Sequence, residues 1–137
     1  MLRIERQFVD EMIAHSREAM PDECCGILAG AGDSVSKVYR MTNVEASPFR
    51  FSMDPLEIMN VDQEASDLGW ELAIIYHSHT HSEAYPSDTD VRIAGGTNEL
   101  WPDVRYILVS LMEPENPSVR LFSIDHGDIS EEQMEVV

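Results

Sequence analysis

Lysine is almost absent from this chain of 137 residues: Lys37 is one of only nine basic side chains, set against 26 acidic ones, for a formal net charge of -17. With no basic patch to offer and a field that repels phosphates and anionic headgroups, the chain is expected to bind neither nucleic acid nor a membrane surface. A neutral or locally basic partner is expected instead. Cysteine is scarce as well. The two present, Cys24 and Cys25, are adjacent, and neighbouring Cα atoms about 3.80 Å apart are too close for an ordinary disulfide. Reduced thiols are therefore expected, as in the cytoplasm. No apolar run approaches the roughly 20 residues of a membrane helix, and charges interrupt the first dozen residues, where a signal peptide would carry its apolar core. Internal repeats, low-complexity blocks and linkers are also missing. With a hydrophobic fraction of 43%, residues 1–137 are expected to form a single domain around one core.

What is present reads as alternating secondary structure. Ile4, Phe8 and Met12, with Val9 and Ile13, fall at helical spacing, and Pro21 follows the pattern, which predicts a helix over 4–19. Three strands are expected next: Cys25 to Ala29, Val35 to Arg40 after a Gly30–Asp33 turn, and Phe49 to Met53 from alternation. Asp54-Pro55-Leu56-Glu57 has the form of a helix start, with Asp54 as N-cap and Glu57 placed to reach back. That helix carries Ile58, Val61, Ala65 and Leu68 on one face and ends at Gly69. Leu72 to Tyr76 is apolar throughout, as in a strand covered on both faces. A short helix from Ser87 to Ala94, stopped by Gly95-Gly96, and strands over Arg105–Met112 and Val119–Asp125 complete the order. The fold class expected is α/β in the mixed α+β sense, a mixed sheet flanked by helices.

Chemistry concentrates after Tyr76. Side chains two apart on a strand share a face, so His77 and His79 can aim both imidazoles at one point beyond the strand end. Such a pair suits Zn²⁺, and a catalytic zinc needs one more protein ligand, for which Asp90 and His81 are nearest. Ser87 and Asp90 are three apart at a helix start and so can both turn toward the ion, although Ser-x-x-Asp alone is the pattern of a helix cap. Hydrolysis also needs a carboxylate to take a proton from water. Glu71 is about 20 Å from His77 along the strand at 3.3 Å per residue, out of reach. Glu83 and Glu23 remain, and spacing does not choose between them; by spacing alone Glu23 reads as an exposed residue after the first helix. His15 and His126 read as surface residues, and Cys24 and Cys25 as buried packing.

These residues resemble the JAMM or MPN-plus metalloproteases, which hydrolyse bonds at the C-termini of ubiquitin and ubiquitin-like proteins. The likeness rests on Pro21-x-Glu23-x-Cys25-Gly26-x-Leu28-x-Gly30, His77-x-His79 and Ser87-x-x-Asp90, and it extends over nearly the whole chain. It implies an MPN/JAMM-type domain of cytidine-deaminase-like architecture. It further implies one Zn²⁺ per chain on His77, His79 and Asp90, with Glu23 as general base and Ser87 supporting the water and the oxyanion. Thr80 departs from the pattern, since most members have Pro after the second histidine. The string Tyr76 to Thr80, with Glu83-Ala84-Tyr85-Pro86-Ser87, Met41-Thr42-Asn43 and Ser47-Pro48, is similar to a bacterial branch acting on a ubiquitin-like sulfur-carrier protein. The substrate so implied is a Gly-rich carrier tail bearing a cysteinyl residue, and the product is free cysteine for cysteine biosynthesis. Such a tail is expected to lie extended along a sheet edge.

Other readings stay open. Deubiquitinase-like isopeptidase activity is the alternative within the family, disfavoured because little chain follows Asp90 to hold a linkage-reading insertion. A non-catalytic MPN binding module is the alternative outside catalysis. An unrelated His-x-His hydrolase would use His81 as third ligand. A zinc deaminase would need the joint signature of His-x-Glu and Pro-Cys-x-x-Cys, and the chain has no Pro-Cys-x-x-Cys. Homo-oligomer formation is compatible with the sequence and is not specified by it.

Overall fold

Continuous apolar character at Leu72–Tyr76 places that segment in the middle of the architecture, with everything else arranged to cover it. In the computed structural model, which describes residues 1–137, the elements are β1 (Leu2–Ile4), α1 (Arg6–Ala19), β2 (Cys25–Gly30), β3 (Lys37–Met41), α2 (Pro55–Asp67), β4 (Glu71–His79), α3 (Asp88–Leu100), β5 (Arg105–Ser110), β6 (Ser118–Asp125), β7 (Asp128–Glu132) and β8 (Met134–Val136). Six strands form one mixed sheet in the order β3-β2-β4-β5-β6-β7, and β1 pairs with β8 outside it. Within the six, β4 and β5 run parallel and every other pair is antiparallel. The α3 crossover makes that parallel pair possible.

Each face of the sheet has its own core. Val9 and Met12 of α1 pack with Leu2, Ile4, Leu28, Ile74 and Tyr76 on one side. On the other, Ala65 of α2 and Ala94 of α3 meet Ile27, Phe51, Ile75 and Tyr106. Period-two alternation along β4 thus sends Ile74 and Tyr76 toward α1, and Ile75 and His77 toward the other two helices. Gly26 is required where β2 passes Tyr76, because a Cβ there would lie 2.1 Å from the tyrosine Cε1.

Four expectations are corrected. Residues 49–53 form no strand; only an Asn43–Met53 bridge is present. The Asn43 side chain takes the place of a partner strand, accepting from the Glu45 and Ser52 N–H groups and donating to the Arg50 and Glu23 carbonyls. Helix α3 runs through Gly95-Gly96 to Leu100, because Ile93, Thr97 and Trp101 prolong its inward stripe past the glycines. Ile4 lies in β1 rather than in the first helix. Glu57 does not reach back to its N-cap but bonds the Thr42 N–H at 2.9 Å and hydroxyl at 2.7 Å. Strands β7 and β8 were invisible in the alternation: β7 is an edge strand of acidic composition, held by Arg120–Glu131 and Arg105–Glu132 pairs.

Candidate metal centre

The site stands at the carboxyl end of β4, where the antiparallel half of the sheet meets the parallel pair, the position at which open α/β sheets hold ligands. The strand extends past Tyr76 to include both histidines, so His77 and His79 are fixed by the ladder rather than by a loop. Both are buried, as is Asp90 on the first turn of α3. One donor atom from each of the three lies within 4.8 Å of the others. His77 Nε2 is 3.1 Å from Asp90 Oδ1, and His79 Nε2 is 2.9 Å from Asp90 Oδ2.

Ser-x-x-Asp caps helix α3, and its Asp90 also stands against both histidines. Asp90 N–H donates to Ser87 Oγ at 3.1 Å and Ser87 N–H donates to Asp90 Oδ2 at 2.9 Å, a complete capping box. The same Asp90 carboxylate reaches across to the histidines, so the cap is what orients the third donor. His79 is oriented from behind: its Nδ1–H donates to the Glu83 carbonyl at 2.8 Å, which leaves Nε2 to face the cluster. His77 is held differently, stacked on Phe51 with ring centroids 4.5 Å apart.

A metal ion fits this donor set. Both ring nitrogens of His77 are buried without a hydrogen-bond partner, since the close approach of Nε2 to Asp90 lacks hydrogen-bond alignment. An unsatisfied buried nitrogen is costly unless a cation takes its lone pair. Burial pushes the His77 pKa down, against the pull of Asp90, which favours the neutral ring that a metal requires. Burial opposes protonation of His79 as well, but the bonds to Asp90 and the Glu83 carbonyl outweigh it and hold the pKa up. Burial would likewise raise the Asp90 pKa, yet the two histidines and the Ser87 N–H keep it well below the carboxylate range.

Glu23 corrects the reading from spacing. It is only 4% exposed and shares a groove of about 240 Å³ with His79 and Ser87. Its backbone is fastened on both sides: Glu23 N–H donates to the Ser47 carbonyl at 2.9 Å, and Asn43 Nδ2 donates to the Glu23 carbonyl at 3.0 Å. One residue on, Cys24 N–H donates to Ser78 Oγ and Ser78 N–H to the Cys24 carbonyl, continuing the β2–β4 ladder. Oε1 has no partner. Burial raises the Glu23 pKa to about 8, with Asp90 adding to the rise and His79 opposing it.

The alternatives fall outside the cluster. His81 is exposed and its Nδ1 meets Thr80 Oγ1 at 2.9 Å. Glu83 contributes its backbone carbonyl to His79, and the residue itself is exposed. His15 is no free surface residue, since its Nδ1 is 2.7 Å from the Tyr76 hydroxyl. Three contributors went unrecognised in the sequence: Phe51, Asn43 and the Glu83 carbonyl. Only Asn43 carried a signal, as a turn-forming residue between two apolar runs.

Comparison with known proteins gives the family of the chain. The family model of prokaryotic homologs of the JAB domain matches residues 5–125. The CysO-cysteine peptidase of Mycobacterium tuberculosis is 40% identical over 139 residues, spanning 100% of this chain and 92% of its own. The desampylase of Haloferax volcanii is 32% identical over 108 residues, 74% of each chain. Among solved structures, a Desulfitobacterium hafniense protein superposes with a TM-score of 0.86 at 34% identity, covering 100% of this chain and 93% of that one. A JAMM domain described as a metalloprotease-like zinc site of the proteasome and signalosome shares the fold, with a TM-score of 0.58 at 19% identity and coverage of 100% and 98%. By sequence along its length and by fold, the chain belongs to the prokaryotic homologs of the JAB domain, a JAMM-type hydrolase of the JAMM/MPN family.

Proposed function

We propose that this protein is a zinc metallopeptidase that cleaves between the C-terminal glycine of a ubiquitin-like sulfur-carrier protein and a cysteinyl residue, releasing cysteine in the cytoplasm. One observation carries the reading: a buried His77–His79–Asp90 cluster whose His79 lines one groove with the buried Glu23. The choice of substrate is supported by the CysO-cysteine peptidase, similar over the whole chain. His77, His79 and Asp90 would hold one Zn²⁺ per chain, and residues 1–137 would act as one domain.

The roles follow from the chemistry of each group. Zinc, when bound, acts as a Lewis acid that polarises the scissile carbonyl and brings the pKa of a water toward about 7. Glu23 takes the proton of the attacking water and then gives it to the departing cysteine amine; its place beside His79 in the groove suits that role. Ser87 Oγ already accepts from Asp90 N–H, so its own hydrogen is free for donation to the tetrahedral oxyanion, worth about 3 kcal/mol in comparable sites. The Glu83 carbonyl keeps the His79 ring in one orientation throughout.

A second substrate reading, cleavage of small-modifier conjugates, is favoured by the similarity to a desampylase over 74% of the chain. Incubating the zinc-loaded protein with a carrier–cysteine adduct and with a ubiquitin-like isopeptide, then reading products by mass spectrometry, separates the two. Release of cysteine supports the first and cleavage of the isopeptide the second. Cleavage of neither, with zinc bound, overturns both.

A further inference from the structure

The three donors are held by different means. Asp90 is set by its own helix cap. His77 is stacked on Phe51 at the wall of an apolar cavity of about 360 Å³, which Thr97 and Trp101 at the end of α3 also line. His79 lines the polar groove with Glu23, and its ring is oriented by one backbone oxygen, the carbonyl of Glu83. That oxygen belongs to a loop whose residues 81–83 are all exposed. Exposed loops are the mobile parts of a fold, so a metal ligand oriented by one needs the loop itself to be fixed.

Strand β5 supplies the fixing. Ser110 stands beside His79 in the parallel β4–β5 register, and Leu111 N–H donates to the His79 carbonyl at 3.0 Å. Ser110 is only 3% exposed. Its Oγ accepts from Met112 N–H at 3.1 Å, and its hydroxyl donates to the Ser82 carbonyl at 2.6 Å. The next carbonyl along, that of Glu83, accepts from both His79 Nδ1–H and Tyr85 N–H. Beyond it, Ala84 is buried against Leu108 and Phe122. The end of β5 therefore grips the His79 backbone and the loop that orients the His79 ring at once. A cavity of about 210 Å³, lined by Glu83, Ala84, Ser110 and Asn116, leaves room for the Ser82–Glu83 peptide to turn once the hydroxyl is removed.

We infer that Ser110 is a positioning residue for the metal centre: by tying down the Ser82 carbonyl it fixes the Glu83 carbonyl, which holds the His79 ring with Nε2 aimed at the ion. This inference rests on the metallopeptidase reading above. The bond at Nδ1 sets the tautomer and raises the basicity of the ligating nitrogen, so a slack loop weakens the ligand. A merely structural tie would lower stability alone.

The test uses the full chain as wild type, Ser110→Ala, Ser110→Thr and Val9→Ala, the last a control that loosens the α1 face of the core, away from the loop. Zinc affinity is read by competition with a chromophoric chelator, and the geometry at the ion by the visible absorption of the cobalt-substituted protein. Ser110→Ala is expected to bind zinc about tenfold more weakly, the lower end of what loss of an outer-shell partner costs, with altered cobalt bands. Ser110→Thr, which keeps the hydroxyl, is expected to restore both. Val9→Ala is expected to lower Tm while leaving both as in wild type. Ser110→Cys, close in size with a weak S–H donor, replaces the alanine variant should that fail to fold. Wild-type affinity and cobalt bands in Ser110→Ala overturn the inference, as does an equal loss of affinity in Val9→Ala or a folded Ser110→Thr protein no better than Ser110→Ala. If wild type takes up no zinc, the functional reading fails separately, and ¹⁵N shifts of the His79 ring in the metal-free proteins, measured where the ring is neutral, decide the positioning role. An Nδ1–H tautomer in wild type that becomes a mixture in Ser110→Ala sustains it, and the same tautomer in both overturns it.

Discussion

Glu23 concentrates the tension between stability and chemistry in one side chain. Replacing it with Gln keeps shape and burial but removes the proton carrier, so kcat is expected to fall by about 10²–10⁴ while zinc content, measured by metal analysis, stays the same. Retained turnover would show that Glu23 is not the base. The same carboxyl has a pH signature. Its pKa rises from the ordinary 4.5 to about 8 on folding, so between those values the native state binds more proton than the unfolded chain and stability falls as pH rises. Metal-free wild type should therefore lose up to about 1.4 kcal/mol per pH unit against Glu23→Gln across that window, the loss levelling off above it. Parallel denaturant-melt curves for the two proteins from pH 5 to 8.5 would sink this account. Of this site, spacing left Asp90 and His81 open as the third donor, while the pairing of His77 with His79 was legible because strand parity acts locally. The burial of Glu23 was not, since it depends on Ser47 and Asn43 arriving from a different segment.

At the scale of elements, helix α3 shows how far local signals carry. Its start was readable from Ser-x-x-Asp, and the capping box is complete. Its end was misplaced because glycine pairs usually stop helices, while here Thr97 and Trp101 still have a cavity wall to form. Gly95 and Gly96 are exposed, and a Cβ built on either meets nothing within 4 Å. Ala at each position should raise stability by about 0.5–1 kcal/mol, visible as an upward shift in Tm, with kcat unchanged. A fall in Tm would mean that the glycines serve a motion or contact absent from this conformation. The missed strand β7 makes the converse point: an edge strand that pairs through its backbone and salts its side chains with arginine carries no apolar alternation to read.

Across the whole molecule, the charge of -17 has no role in the cluster, whose one acidic member, Asp90, is buried against two histidines. It acts as a field that opposes folding by self-repulsion and favours encounter with basic surfaces. Raising NaCl from about 0.05 to 0.5 M should increase Tm, because the Debye length shortens from above 10 Å to below 5 Å. The same change should lower kcat/KM if the carrier docks through a basic face. A Tm that falls with salt would show that exposed pairs such as Lys37–Glu64 and Arg40–Glu11 outweigh the repulsion. The fold class, order of most elements and likeness to a family were legible in the sequence. The division of space around the cluster was not, because cavity walls are assembled from α2, α3 and three strands at once.

Strand β4 serves two masters through the parity of its numbering. Residues 75, 77 and 79 answer to Phe51, Asp90 and Glu83 on one side, while 74, 76 and 78 answer to Met12, Cys24, Gly26 and His15 on the other. Natural variation along this strand should therefore divide into two covarying sets that ignore each other although they alternate in sequence. An alignment of relatives in which position 76 drifts together with position 90, rather than with 15 and 26, would contradict that separation. Where it holds, the α1 face can be redesigned around Ile74 and Tyr76, for solubility or thermal tolerance, provided Ser78 is kept to fasten Cys24 beside Glu23.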